Sequence, residues 1–140
     1  MNQVYQRRKD LLMDITVTSA SRTALIDITA SIQEKIRLSG IQEGLCFVFV
    51  PHTTAAVTIN ENADPDVKTD ILSTLKRVFP QDPSYRHREG NSDAHVKSSL
   101  VGASETLIIQ DGRLVLGTWQ SVFFCEFDGP RTRKVLIRIQ

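Results

Sequence analysis

The order of apolar and polar residues divides the chain into short strand-like and helix-like segments. Residues 13–18 alternate with period two, and after a polar break at residues 19–23 the alternation returns in Leu25-Ile26-Asp27-Ile28. This predicts two opening strands paired antiparallel. From Ala30 the period lengthens: Ile32, Ile36 and Leu38 fall toward one face, Ser31 and Glu34 have capping-box spacing, and Gly40 suits a helix end. Leu45-Cys46-Phe47-Val48-Phe49-Val50 is continuously apolar between Gly44 and Pro51, the pattern of a central strand covered on both faces.

Residues 55–60 read as a further strand. Asp64-Pro65-Asp66 then supplies an N-cap, a proline at the first helical position and an acidic first turn, followed by the apolar stripe Val67, Ile71, Leu75, Val78 up to Pro80. Residues 80–92 form a polar loop carrying His87. Asp93 is positioned to cap a short helix containing His95, Val96, Ser99 and Leu100, which Gly102 closes. Strand patterns fill the remainder, at residues 107–109, 114–116, 119–127 and 135–139, with a turn at Asp111-Gly112. The links between these last strands are too short for crossover helices, which predicts a final antiparallel meander. The expected fold is α+β, a mostly antiparallel sheet backed by helices, in one compact domain over residues 1–140.

Charge narrows the function classes. Lys plus Arg total 17 against 16 for Asp plus Glu, so there is no broad basic field of the kind that non-specific nucleic-acid binding requires. Residues 1–9 include Arg7, Arg8 and Lys9 but no apolar stretch long enough for a signal peptide or a membrane span. A soluble, cytoplasmic protein without nucleic-acid or membrane partners is expected. Cys46 and Cys125 lie far apart inside strand patterns, which fits reduced core thiols rather than a zinc knuckle or redox pair.

All three histidines sit in polar surroundings: Pro51-His52-Thr53-Thr54 and His87-Arg88-Glu89-Gly90-Asn91-Ser92-Asp93-Ala94-His95. His52 follows the apolar central strand and should stand at a strand end, where backbone carbonyls could equally satisfy it. A flexible loop with Gly90 separates His87 from His95, and three neutral imidazoles with an open fourth position form a recurrent catalytic metal arrangement. No two of the three have the helical spacing of the compact zinc-protease motif. Glu61 and Asn62 precede the helix cap and owe nothing to it, which makes Glu61 a candidate general base or a carboxylate orienting a metal ligand. In residues 119–127, Glu126 shares a strand face with Gln120, Val122 and Phe124, so a buried carboxylate there needs Arg131 or Arg133 as partner, either for structure or for catalysis. Arg131 and Arg133 are also candidate forks for a phosphate, with hydroxyls from residues such as Ser99 nearby.

Taken in order, Pro51-His52-Thr53-Thr54-Ala55-Ala56 with Glu61, the His87 to His95 segment, Leu114-Val115-Leu116-Gly117-Thr118-Trp119-Gln120 and Glu126-Phe127-Asp128-Gly129-Pro130-Arg131-Thr132-Arg133 closely resemble the YjbQ-like family, also labelled the secondary thiamine-phosphate synthase family. The resemblance covers nearly the whole chain. It implies an α+β homotrimer with a histidine-lined site near the subunit boundary. His52, His87 and His95 would hold a divalent metal, zinc first or magnesium with a diphosphate substrate. Glu61, Glu126 and Arg131 would take part in catalysis. Asn91, Gln120 and Arg131 would lie in the surrounding site, where Thr53, Thr54, Ser99 and Arg133, from their residue types, are further candidates to contact a small phosphorylated substrate. The implied activity couples a pyrimidine diphosphate to a thiazole phosphate and releases pyrophosphate, as a secondary activity. The alternatives are metal-assisted hydrolysis of a phosphorylated metabolite and a non-catalytic trimer that binds a metal or metabolite.

Overall fold

The computed structural model describes residues 11–140, so the expectation for residues 1–9 lies outside the described residues. Eight strands and three helices follow one another: β1 (Leu11–Thr18), β2 (Ala24–Asp27), α1 (Thr29–Ser39), β3 (Gly44–Phe49), β4 (Ala55–Glu61), α2 (Pro65–Val78), α3 (Ser92–Val101), β5 (Ser104–Gln110), β6 (Arg113–Leu114), β7 (Gln120–Glu126) and β8 (Thr132–Ile139). The strands form two antiparallel sheets, a five-stranded one in the order β1-β8-β3-β5-β6 and a three-stranded one in the order β2-β7-β4. Among the described residues no helix is long and apolar enough to cross a membrane.

The α+β class and the central place of Leu45–Phe49 are as the pattern predicts; the pairing is not. β1 pairs with β8 and β2 pairs with β7, so the two opening strands belong to different sheets. The closing strands divide in the same way, and the expected meander reduces to the β5–β6 hairpin at Asp111-Gly112. Period-two alternation fixes which face each residue takes but carries no information on the partner strand.

The main core lies between the inner faces of the two sheets. Val17, Val48, Ile109, Val135 and Ile137 from the five-stranded sheet meet Val57, Val122 and Phe124 from the other, and α1 adds the buried Ile32 and Ile36. A second cluster, with Ala56, Cys125 and Phe127, occupies the opposite face of the three-stranded sheet beneath Leu75 of α2 and Ala94 and Val101 of α3. The outer face of the five-stranded sheet is different. Leu12, Leu45, Phe49 and Ile108 are all exposed there, which corrects the expectation that β3 is covered on both sides.

Local chemistry explains the helix ends. Asp64 caps α2 by accepting the Asp66 N–H, with Pro65 at the first position. α1 starts two residues before the Ser31 expectation, because the Asp27 carboxylate accepts the Thr29 N–H and displaces the Ser31–Glu34 capping box. Gly40 ends α1 in the left-handed region, at φ 72°. Asn91, not Asp93, occupies the cap position of α3. Asp93 is drawn inward to a charge partner instead.

Candidate functional site

β3 runs directly into Pro51-His52-Thr53-Thr54, which turns the chain into β4, and α3 lies alongside that turn. The Ser98 hydroxyl donates to the Thr53 carbonyl at 2.6 Å, and the Val57 N–H donates to the Gly102 carbonyl at 3.1 Å, fixing the helix against the strand. Between them opens a cleft of about 720 Å³ lined by Phe49, His52, Thr53, His95, Ser98 and Ser99 together with the backbone of residues 102–103. His52 and His95 therefore share one cavity. His87 joins from the loop: its ring meets the His95 ring edge-on, with 5.4 Å between centroids.

His52 is anchored through Nε2 to the backbone of Lys134 on β8. That nitrogen either accepts the Lys134 N–H at 3.0 Å or donates to the Lys134 carbonyl at 3.1 Å, according to tautomer. Nδ1 is left for a ligand. Burial, reinforced by the positive charge of Arg133, lowers the His52 pKa below 6.5; the ring is neutral at physiological pH. Ser99 donates to the His95 carbonyl at 2.8 Å, and its oxygen lone pairs remain available to a ligand.

Behind the cleft lies a fully ordered set of charges. Glu126 is 0 % exposed on the inner face of β7. Arg133, on the inner face of β8, grips both carboxylate oxygens through Nε and Nη2 and also donates to the Thr54 hydroxyl at 2.9 Å. Ser19 donates to Glu126 Oε1 at 2.8 Å, and the Asp128 N–H reaches Oε2 at 3.3 Å. Burial raises the Glu126 pKa, but the Arg133, Ser19 and Asp128 hydrogen bonds outweigh it and hold the carboxyl below its usual value. Because β7 and β8 belong to different sheets, this pair bolts one sheet to the other rather than spanning a hairpin. Gly129 sits against it so closely that any side chain would run into the Ser19 hydroxyl and the Ser21 carbonyl.

A second chain of charges starts at Asp93, which pairs with Lys97 at 3.0 Å and Arg22 at 2.9 Å; Asp93 and Lys97 are both buried. Arg22 continues to Asp128 at 3.3 Å. Asp128 also accepts from Asn91 at 2.8 Å and from Arg131 at 2.9 Å. Asn91 Oδ1 is buried without a partner among the described residues. Arg131 is 51 % exposed and spends Nε and Nη2 on Asp128, which leaves Nη1 directed to other use.

The predicted site residues thus divide. His52, Thr53, Thr54, His87, Asn91, His95, Ser99, Glu126, Arg131 and Arg133 gather at one end of β4 and β7. Glu61 and Gln120 do not. They pair with each other at the opposite end of these strands, six residues along β4 from Ala55, or about 20 Å at ~3.3 Å per residue. Gln120 there accepts the Gly117 N–H at 2.8 Å and closes its own turn. Two further expectations change role: Glu126 and Arg133 satisfy each other in the interior, so neither is presented to a substrate. Among the described residues no three His, Cys, Asp or Glu side chains stand close enough to hold a metal ion.

Sequence reasoning missed Ser19, Arg22 and Lys97. Ser19 and Arg22 fall in a polar break that reads only as a turn, and Lys97 shows no local sign of being buried.

A family model described as UPF0047 protein YjbQ-like matches residues 13–140. UPF0047 protein MJ1081 of Methanocaldococcus jannaschii is 50% identical over 129 residues, covering 92% of this chain and 94% of that protein. UPF0047 protein YugU of Bacillus subtilis is 48% identical over 130 residues, 92% of this chain and 98% of its own. Among solved structures, a YjbQ/UPF0047 family protein of Clostridium acetobutylicum superposes with a TM-score of 0.89 at 50% identity, covering 91% of this chain and 99% of that one. A YbjQ-like protein of Sulfolobus solfataricus gives 0.88 at 36% identity, covering 94% and 96%.

Proposed function

Because the chain belongs to the YjbQ-like UPF0047 family, we propose that its histidine cleft binds a small phosphorylated substrate and couples a pyrimidine diphosphate to a thiazole phosphate, releasing pyrophosphate as a secondary activity. The observation that supports this reading is the single cleft of about 720 Å³ shared by His52 and His95 with Thr53 and Ser99, beside the partly uncommitted guanidinium of Arg131. These are the donors that an anionic leaving group needs.

The bond from the pyrimidine methylene carbon to the diphosphate oxygen breaks, and its electron pair leaves with pyrophosphate. The lone pair of the thiazole nitrogen then captures the methylene cation and forms the new carbon–nitrogen bond. No protein nucleophile takes part. This agrees with the buried Cys46 and Cys125, whose thiols are pushed up to about 12 by burial and hold no useful thiolate at neutral pH. The chain's own work is to orient the diphosphate through Arg131 and Thr53 and to supply an imidazole N–H to the departing oxygen. Among the described residues no three His, Cys, Asp or Glu side chains converge, and no step is assigned to a protein-held ion. Magnesium carried in with the diphosphate is the form of the metal expectation that this cleft accommodates.

The trimer implied by the family resemblance is part of the same proposal, supported by the exposed Leu12, Leu45, Phe49 and Ile108 on the outer sheet face. Two free, buried cysteines fit a reducing cytoplasm.

The test is product analysis by mass spectrometry with each substrate alone and with both. Thiamine phosphate and pyrophosphate should form only from the pair. Orthophosphate released from one substrate alone would replace coupling by hydrolysis, and retention of the diphosphate without turnover would leave a binding module. Diphosphate affinity should fall at least tenfold in His95→Ala with the fold intact; an unchanged affinity would remove this cleft from the reading.

A further inference from the structure

We infer that Asp128 is a positioning residue of the cleft: it fixes the Arg131 guanidinium to receive a diphosphate and ties it to the turn of α3 that carries His95. The inference rests on the reading of the cleft as a diphosphate site. Asp128 lies in the connection from β7 to β8, and its side chain is only 11 % exposed. Its backbone N–H donates to Glu126 Oε2 at 3.3 Å, so the buried Glu126–Arg133 pair sets where the carboxylate stands. Oδ1 accepts from Arg22 at 3.3 Å. Oδ2 accepts from Asn91 at 2.8 Å and from Arg131 Nη2 at 2.9 Å, and the Asp128 carbonyl accepts from Arg131 Nε at 2.8 Å. One residue therefore clamps Arg131 along its Nε–Nη2 edge, and the Nη1 side keeps one direction although the side chain is half exposed.

Asn91 carries the link to the helix. Its backbone carbonyl accepts the Ala94 N–H at 3.0 Å and the His95 N–H at 3.3 Å, so Oδ2 of Asp128 joins the arginine to the first turn of α3. His52, whose pKa is lowered by burial first and by Arg133 second, also feels the charge of Arg131, which sets that guanidinium within electrostatic reach of the cleft. By charge alone, a carboxylate here opposes anion binding. Lys97, Arg22 and Arg131 with Asp93 and Asp128 make three cations against two carboxylates, so removing the Asp128 charge strengthens the field that a diphosphate meets. Orientation acts in the opposite sense, because a planar fork held in advance loses less freedom when it grips phosphate.

Asp128→Asn separates the two effects. Its amide turns an N–H donor either toward Arg22 or toward Asn91 and Arg131, so a donor faces a donor whichever way it sits. Measured by calorimetry, affinity for inorganic pyrophosphate should fall about tenfold in this variant, the worth of one hydrogen bond to a charged group; a purely electrostatic role gives tighter binding. Arg131→Ala should lose at least as much, and adding Asp128→Asn to it should cost nothing further, since the two act as one unit. Tighter binding in Asp128→Asn, or losses that add in the double variant, overturn the inference. Arg131→Lys keeps the charge without the fork and should bind as weakly as Arg131→Ala; wild-type affinity there overturns the inference even where Asp128→Asn does not fold.

Nitrogen NMR reads the clamp without any ligand. The two Arg131 Nη resonances, assigned by their loss in Arg131→Ala, should stay separate in the wild type, where Asp128 hinders rotation about the Nε–Cζ bond, and should merge in Asp128→Asn. Merged resonances in the wild type, or separate ones in the variant, overturn the inference. A wild type with separate resonances that binds no pyrophosphate supports the clamp and counts against the cleft reading instead.

Discussion

The two ends of the β4–β7 pair are built from similar residue types and put to opposite use. At the Ala55–Glu126 end, carboxylate, guanidinium and hydroxyl groups are buried and satisfy one another. At the Glu61–Gln120 end, a carboxylate, an amide and an indole sit at the surface with few ties beyond their own turn. The first end lies in the interior behind the cleft; the second is held at the surface by strand pairing and by Asn62, which bonds the Trp119 carbonyl and Asp27. A motif residue's type does not reveal which of these it serves. The sheet register does.

The sharpest way to break this contrast is to substitute the matching carboxylates. Glu126→Ala leaves Arg133 as an uncompensated interior charge and should destabilise the protein by about 3–5 kcal/mol in chemical denaturation. Glu61→Ala should change stability by less than about 0.5 kcal/mol. Equal losses would mean that both ends are structural. Gly129→Ala should cost roughly 1–3 kcal/mol by overpacking, because its added methyl meets Ser19 and Ser21; a neutral result would show that the Glu126 end yields more easily than its burial implies.

Acidity sharpens the comparison further. The folded His52 pKa lies below its ordinary 6.5, through burial first and Arg133 second, so in the window beneath 6.5 the unfolded chain binds more protons. Its contribution is complete above pH 6.5 and is lost as pH falls through the folded value. The urea midpoint should therefore decline on acidification below 6.5, and His52→Gln should flatten that decline; a wild-type midpoint that holds steady there contradicts the assignment. Glu126, also lowered, has the same sign but acts below the ordinary carboxyl range. The smallest effect belongs to Ser99→Ala, which should leave stability within about 0.5 kcal/mol while weakening diphosphate binding roughly fivefold, the worth of one neutral hydrogen bond.

Much of the fold is legible in the pattern. The existence and central place of β3, the Asp64-Pro65 helix start, the Gly40 stop and the Asp111-Gly112 turn all appear as expected, whereas the second covered face expected of β3 does not. Partner choice does not depend on short-range chemistry, and there the opening pair and the closing meander fail. The site divides along the same line. Glu126 reads correctly as a buried carboxylate in need of an arginine, because alternation along β7 forces it inward. That Arg133 rather than Arg131 answers it follows from β8 joining the other sheet, and that Glu61 lies a strand's length from His52 follows from register. Neither is written in local spacing.

The position of β8 has a consequence for biosynthesis. Strand β8 follows all the other described strands in the chain yet lies between β1 and β3, so the larger sheet has a gap at its middle until β8 has been synthesised. The nascent chain must carry two unpaired edges until then, and loss of residues from β8 would leave them exposed to intermolecular pairing.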